Sequence, residues 1–219
     1  MMVLISHTMK FHGVTKFFIC SLLGICMSSC KSVIKDPKLY YSYLENPANG
    51  LVKEKTVAGI KLKVKYLPLD YLAFNSLDKK KFLTQAAKDS VMKAFDNSLT
   101  FILNIGPSQN ESFDVTRVGI DNYGEFAERV ERMSFQAQEW ITIKIGEKIF
   151  RPVLARMENL NALEKSRNFI IVFNSKEIME EEGVNDQMCF IYNDELFDIG
   201  TNKFVFQMND IKTTPELKF

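Results

Sequence analysis

Few segments of this 219-residue chain group side chains able to do chemistry, and the densest lies near its end. Asn193-Asp194-Glu195-Leu196-Phe197-Asp198 sets three carboxylates in one short segment. All-oxygen ligation of a hard cation such as calcium would draw on Asp194 and Asp198, and an acid/base pair could be built there. The same stretch also reads as turn chemistry, with Asn193-Asp194 bonding to its own backbone, and its spacing fits no EF-hand-like loop. Cys189, between Met188 and Phe190 in an apolar run, reads as a small hydrophobe with a raised pKa and not as a nucleophile. The Ser-His and Cys-His hydrolytic dyads need an imidazole that titrates near neutrality. The only two histidines are His7 and His12.

Two further clusters combine charge or aromaticity. Lys61, Lys63 and Lys65 alternate with Ile60, Leu62, Val64 and Tyr66, giving a row of positive charge on one face of a strand. That row is a candidate contact for an anionic surface, or it is a solvated face that discourages edge pairing. Tyr40, Tyr41 and Tyr43 could stack on sugar rings or dock a short helix onto its own core. Glu180-Glu181-Glu182 reads as a solvated helix face. No Gly-rich phosphate loop followed by Lys-Ser or Lys-Thr occurs.

The N-terminal stretch carries an address. Lys10 and Lys16 lead into Phe17-Phe18-Ile19-Cys20-Ser21-Leu22-Leu23-Gly24-Ile25-Cys26, and no Asp or Glu precedes Asp36. An apolar run of that length is too short to span a bilayer, and with its basic lead it has the form of a secretory signal. The following Met27-Ser28-Ser29-Cys30 resembles the lipobox of bacterial lipoproteins, with Met27 standing where Leu is usual. The resemblance implies a diacylglyceryl group on Cys30 and cleavage by signal peptidase II, so that 1–29 are removed and membrane attachment comes through the lipid anchor. An uncut signal anchor, or a signal cut without lipidation, is the alternative. Met9-Lys10 opens a signal of normal form, so Met9 stands beside Met1 and Met2 as a possible start. Lys31 and the residues after it lack the acidic signals that resemble inner-membrane retention and surface export. This favours the outer membrane facing the periplasm, with the cell surface as the alternative. The segment from Tyr43 through Pro68 also looks like the opening of uncharacterised Bacteroidota lipoproteins, a likeness that brings no catalytic residue.

Cleavage at Cys30 would remove both histidines with Cys20 and Cys26. The basic count falls from 28 to 26, since Lys10 and Lys16 are lost, against 27 acidic residues, for a formal net charge of minus one. That balance points away from nucleic acid, and no cofactor is implied. Cys189 alone cannot form an internal disulfide, so stability must come from packing. A chain of roughly 190 residues buries about 70 % of its unfolded surface, enough for this.

The elements that position these groups follow from periodicity. After a tether over 30–38, Leu39, Tyr40, Tyr43 and Leu44 share one face of a short helix that ends before Pro47. Leu51 to Val57 and Ile60 to Leu67 about Ala58-Gly59 predict a β-hairpin with Glu54 opposite Lys63. Pro68 and Asp70 start a short helix, and Asp78 caps an amphipathic one over Lys79 to Asp96 that packs on a sheet. Leu99 to Ile105 reads as a central strand. Asn122 to Gln136 is a second amphipathic helix, with Tyr123, Phe126, Val130 and Met133 inward and Glu125, Glu128, Arg129, Glu131 and Arg132 outward. Trp140 to Ile145 and Ile149 to Met157 read as strands about Gly146-Glu147-Lys148, with Pro152 at an edge or bulge. Further strands fall at 169–173, 188–192 and 204–208, and a helix at 175–182. The expectation is one α+β domain over 39–219, mainly an antiparallel sheet of about eight short strands with two main helices. Two functional readings stand: a non-catalytic protein binding an envelope protein or polymer, and a carboxylate-dependent, glycan-cleaving type of enzyme.

Overall fold

The computed structural model describes residues 32–76, 85–109, 111–158, 164–180 and 186–218. The signal and Cys30, the helix start over 79–84 and Glu181 to Gly183 lie outside them. Residues Ser32–Phe219 form one compact unit. In chain order the described elements are β1 (Val33–Ile34), α1 (Pro37–Glu45), β2 (Val52–Val57), β3 (Ile60–Leu67), α2 (Leu69–Ser76), α3 (Gln85–Ala94) and β4 (Ser98–Pro107). There follow α4 (Tyr123–Phe135), α5 (Ala137–Trp140), β5 (Ile141–Ile145), β6 (Lys148–Phe150), β7 (Leu154–Met157) and β8 (Arg167–Asn174). The chain closes with α6 (Ser175–Glu180), β9 (Gln187–Asn193), β10 (Thr201–Gln207), α7 (Met208–Lys212) and β11 (Glu216–Leu217). The fold is α+β, and no helix among the described residues is long and apolar enough to cross a membrane.

The strands form two antiparallel sheets, of order β2-β3-β4-β8-β7 and β10-β9-β5-β6, and a small parallel pair β1-β11. Sequence alternation predicts about eight strands in one sheet; the described residues hold more, divided between layers. The reason is that a half-buried strand shows the same period-two pattern whichever partner covers it. Leu62, Val64, Phe101, Leu103, Phe169 and Ile171 point inward from one sheet, and Ile143, Phe190, Tyr192, Phe204 and Phe206 from the other. Their rings interlock across the interface, Phe101 standing 5.5 Å from Phe190 and 5.3 Å from Phe206 between centroids. Pro152 marks the crossing, since β6 closes one edge of the four-stranded sheet and β7 begins an edge of the other.

The predicted hairpin forms, with Val57 opposite Ile60 and Glu54 opposite Lys63. Its loop takes left-handed backbone at both residues, φ 48° at Ala58 and 79° at Gly59, which matches the right-handed twist of the flanking strands. Gly50 is needed for a different reason. Its φ is 76°, and a Cβ there would lie 2.0 Å from an Asp210 carboxylate oxygen.

Four expectations are corrected. The stretch read as a tether is ordered from Ser32, because β1 pairs with β11 and the Asp36 carboxylate accepts from the Lys38 amide to cap α1. Leu39 is 62 % exposed while Tyr40 and Leu44 are buried, so α1 buries a narrower face than its apolar pattern suggests. Tyr123, read as inward, is 81 % exposed, since it opens α4 where no sheet lies beneath it. In α3, Val91 and Met92 are only half-covered, and the helix lies beside α2 instead of buried on a sheet.

Candidate functional site

The residues singled out from sequence do not converge. Lys61 pairs with Glu54 at 2.8 Å, Lys63 with Glu45 at 2.7 Å, and Lys65 with Glu45 while resting over the Tyr71 ring. Burial raises the Glu45 pKa, but hydrogen bonds from Lys63 and Lys65 outweigh it and hold the carboxyl below its ordinary value. Each lysine of the row thus has a carboxylate partner within the fold, with Lys63 and Lys65 sharing Glu45. The tyrosines dock α1: Tyr40 is buried, and Tyr41 meets Tyr71 edge-on at 5.4 Å and donates to the Asn75 side-chain carbonyl.

Asp194 is committed to its own loop. One carboxylate oxygen accepts from the Tyr192 hydroxyl at 2.8 Å and the Leu196 amide, the other from the amides of Phe197 and Ile199. Those four donors occupy the positions a cation would need, while Asp198 takes a left-handed φ of 57° in the same loop. Burial and the Asp194 charge push the Tyr192 hydroxyl pKa well up, so it stays a donor. Cys189 is not in the core: it sits half-exposed on the outer face of the four-stranded sheet, opposite Val205 and Lys144. Its pKa is raised by burial, as the sequence suggests, against the lowering influence of Lys203 and Lys144. Glu180 is exposed. Among the described residues no group of three His, Cys, Asp or Glu side chains could hold a metal.

What the fold does assemble is a face that the sequence reading passed over. Asp114 starts it: its carboxylate caps the turn at Val115–Arg117 and accepts from Arg167 at 3.1 Å, interactions that outweigh its burial and hold its pKa down. The chain then runs to Asn122, whose side-chain oxygen accepts from the Glu125 amide at 3.1 Å. Glu125 returns the bond, accepting from the Asn122 amide group at 2.7 Å and the Asp121 backbone at 3.2 Å. This reciprocal cap fixes where α4 begins and leaves Tyr123 in solvent.

Three arginines lie along this face, each over an aromatic ring. Arg117 sits 4.9 Å from the centroid of Phe126, Arg129 5.2 Å from Phe197, and Arg132 5.8 Å from Trp140. Stacking of this kind orients a planar guanidinium while leaving its N–H edge available. Arg132 uses that edge on Glu195 at 2.8 Å. Arg129 donates to the Val118 carbonyl, and burial pulls its pKa below the ordinary arginine value. A concavity of about 180 Å³ opens between Gly119, Ile120, Arg129 and Leu196. A second, of about 320 Å³, lies between Arg117, Ile120, Tyr123 and Phe126. The arrangement sets ring-supported cations beside an exposed aromatic ring, Tyr123. Arg129 and Arg132 read from sequence as solvated helix charges, because their partner rings at Phe197 and Trp140 come from other parts of the chain.

No protein-family model matches this chain, and neither does any curated protein. Among solved structures, a protein of unknown function from Burkholderia pseudomallei aligns over 83 % of this chain and 91 % of that one. It is 8 % identical with a TM-score of 0.40, too slight a likeness to support any reading of function.

Proposed function

We propose that this chain is a lipid-anchored envelope lipoprotein that binds an envelope protein or polymer without catalysis, and that the loop 117–122 with α4 forms its contact face. The observation carrying this is Tyr123, 81 % exposed at the lip of a concavity that also holds Phe126 and Arg117. An aromatic ring in that setting costs solvation in the free protein and gains it on contact. The anchor at Cys30, carried by the Ser28-Ser29-Cys30 match, places the body at the outer membrane facing the periplasm, with the cell surface as the alternative.

A photoreactive residue at Tyr123 in the full chain should crosslink a discrete partner in its native envelope, and one at Lys61 should not. Equal yields from both positions would remove the reading. Cys30→Ala should abolish labelling by a fatty-acid analogue, and unchanged labelling would remove the anchor. A carboxylate-dependent, glycan-cleaving enzyme is the second reading, drawn from Glu125, Glu128 and Glu195 lining one groove. It is the poorer one, because Glu125 is spent on the helix cap and Glu195 on Arg132. Glycan cleavage lost in Glu128→Gln would favour it.

A further inference from the structure

The charged groups around the groove differ in one respect that the binding reading does not use. Arg132 has Glu195, Arg167 has Asp114, and Lys61, Lys63 and Lys65 have Glu54 and Glu45. Arg117 and Arg129 have no carboxylate within ion-pairing distance among the described residues, and of the two only Arg129 lines the first groove, where Glu125 and Asp194 are near enough to act on it through their charge. Its guanidinium carries five N–H donors, of which the Val118 carbonyl takes one, and Phe197 supports its flat face. A half-buried, ring-supported cation with unused donors at the wall of a concavity is poised for a planar anion.

We propose that Arg129 binds a single carboxylate presented by a polypeptide partner, seated in the groove between Gly119, Ile120 and Leu196. This deepens the binding reading and rests on it. The volume of about 180 Å³ is that of roughly six waters at liquid density, which suits a carboxylate on a short stem. The lining also decides the charge. Glu125, Glu128 and Glu195 line the same groove as Arg129 and Arg132, and Arg132 is already paired with Glu195, so a phosphate or a polyanion carrying a charge at every repeat meets repulsion from the remaining acids. A lone carboxylate flanked by basic residues pairs with Arg129 and sets its flanking cations against Glu125 and Glu128. A polypeptide presents that mixed pattern, whereas an acidic polysaccharide does not. Tyr123 and Phe126, 6.1 Å apart, lie beside the second concavity, where a flanking apolar side chain would rest.

The test uses the purified full-length chain in detergent and a blocked tripeptide with glutamate between two lysines. Its controls are the same peptide with glutamine, inorganic phosphate and an oligomer of glucuronate. Trp140, the single tryptophan, lies under Arg132 and reports on the groove by fluorescence, and the Arg129 Nε–H resonance reports on the contact itself. The glutamate peptide should give saturable shifts in both, weakened about tenfold or more in Arg129→Gln and in Arg129→Lys, which keeps the charge but loses the planar fork. Lys63→Gln should leave binding unchanged. No saturable shift, equal binding of phosphate or the glucuronate oligomer, or full affinity in Arg129→Lys would each overturn the proposal. If Arg129→Gln unfolds, the lysine variant decides. Because this assay needs no envelope, peptide binding with a failed Tyr123 crosslink would remove the contact-face reading alone, and a crosslink without peptide binding would remove only the carboxylate assignment.

Discussion

The outer face of β3 and the face along α4 each carry three cations, and they use them in opposite ways. On β3, Lys61, Lys63 and Lys65 are drawn down onto Glu45 and Glu54, the first brought by α1 and the second by the neighbouring strand. Along α4, Arg117, Arg129 and Arg132 rest on ring faces, and only Arg132 meets a carboxylate among the described residues. A carboxylate neutralises a cation, while an aromatic ring orients it and leaves its charge for something else. The lysines therefore spend their charge on carboxylates, whereas Arg117 and Arg129 keep theirs unpaired by any carboxylate among the described residues.

The comparison can be broken at its base or at either side. Phe101→Ala removes the ring at which both sheets meet and should destabilise by about 3–5 kcal/mol in denaturant unfolding. A loss below about 1 kcal/mol would mean the sheets do not share one core. Asp194→Ala frees four donors and releases the loop bearing Glu195 and Phe197, which floors the arginine face. It should cost about 2–4 kcal/mol and weaken the Arg129 contact, while leaving the lysine face intact. Gly50→Ala should cost about 1–3 kcal/mol, since a methyl group would displace the Asp210 carboxylate.

On the lysine side the effects are smaller and depend on pH. Glu45 is part-exposed, so Glu45→Gln should cost under about 1 kcal/mol at neutral pH. The folded Glu45 pKa lies below its unfolded value, so the stabilisation is complete above the unfolded value and is lost as pH falls through the folded one. Melting curves of wild type and Glu45→Gln should thus differ near pH 7 and converge as the pH falls through and below the ordinary glutamate range. A gap that widens in acid would contradict the assigned pairing. The smallest expected effect is that of a chelator or mild reductant on the full chain. A fall in melting temperature beyond about 5 °C, more than 1 kcal/mol in a domain this size, would restore the calcium reading of Asp194 and Asp198 or give Cys189 a structural role.

The sequence by itself determined several elements whose signal is local. The hairpin about Ala58-Gly59, the capped start of α4 at Asn122 and the buried run of β8 are legible because turn chemistry, capping and alternation act over a few residues. Inventory is local too, so the placement of both histidines before Cys30 follows from the chain alone. Only the tertiary structure decided that the strands divide into two facing sheets, because alternation says which side of a strand is buried and not what buries it. It also decided that β1 pairs with β11 across nearly the whole chain, and that Asp194 serves its own loop. The same holds for the rings under the arginines. Arg129 and Phe197 are far apart in sequence, and no periodicity records that a guanidinium will find a ring face where a carboxylate was available to its neighbour.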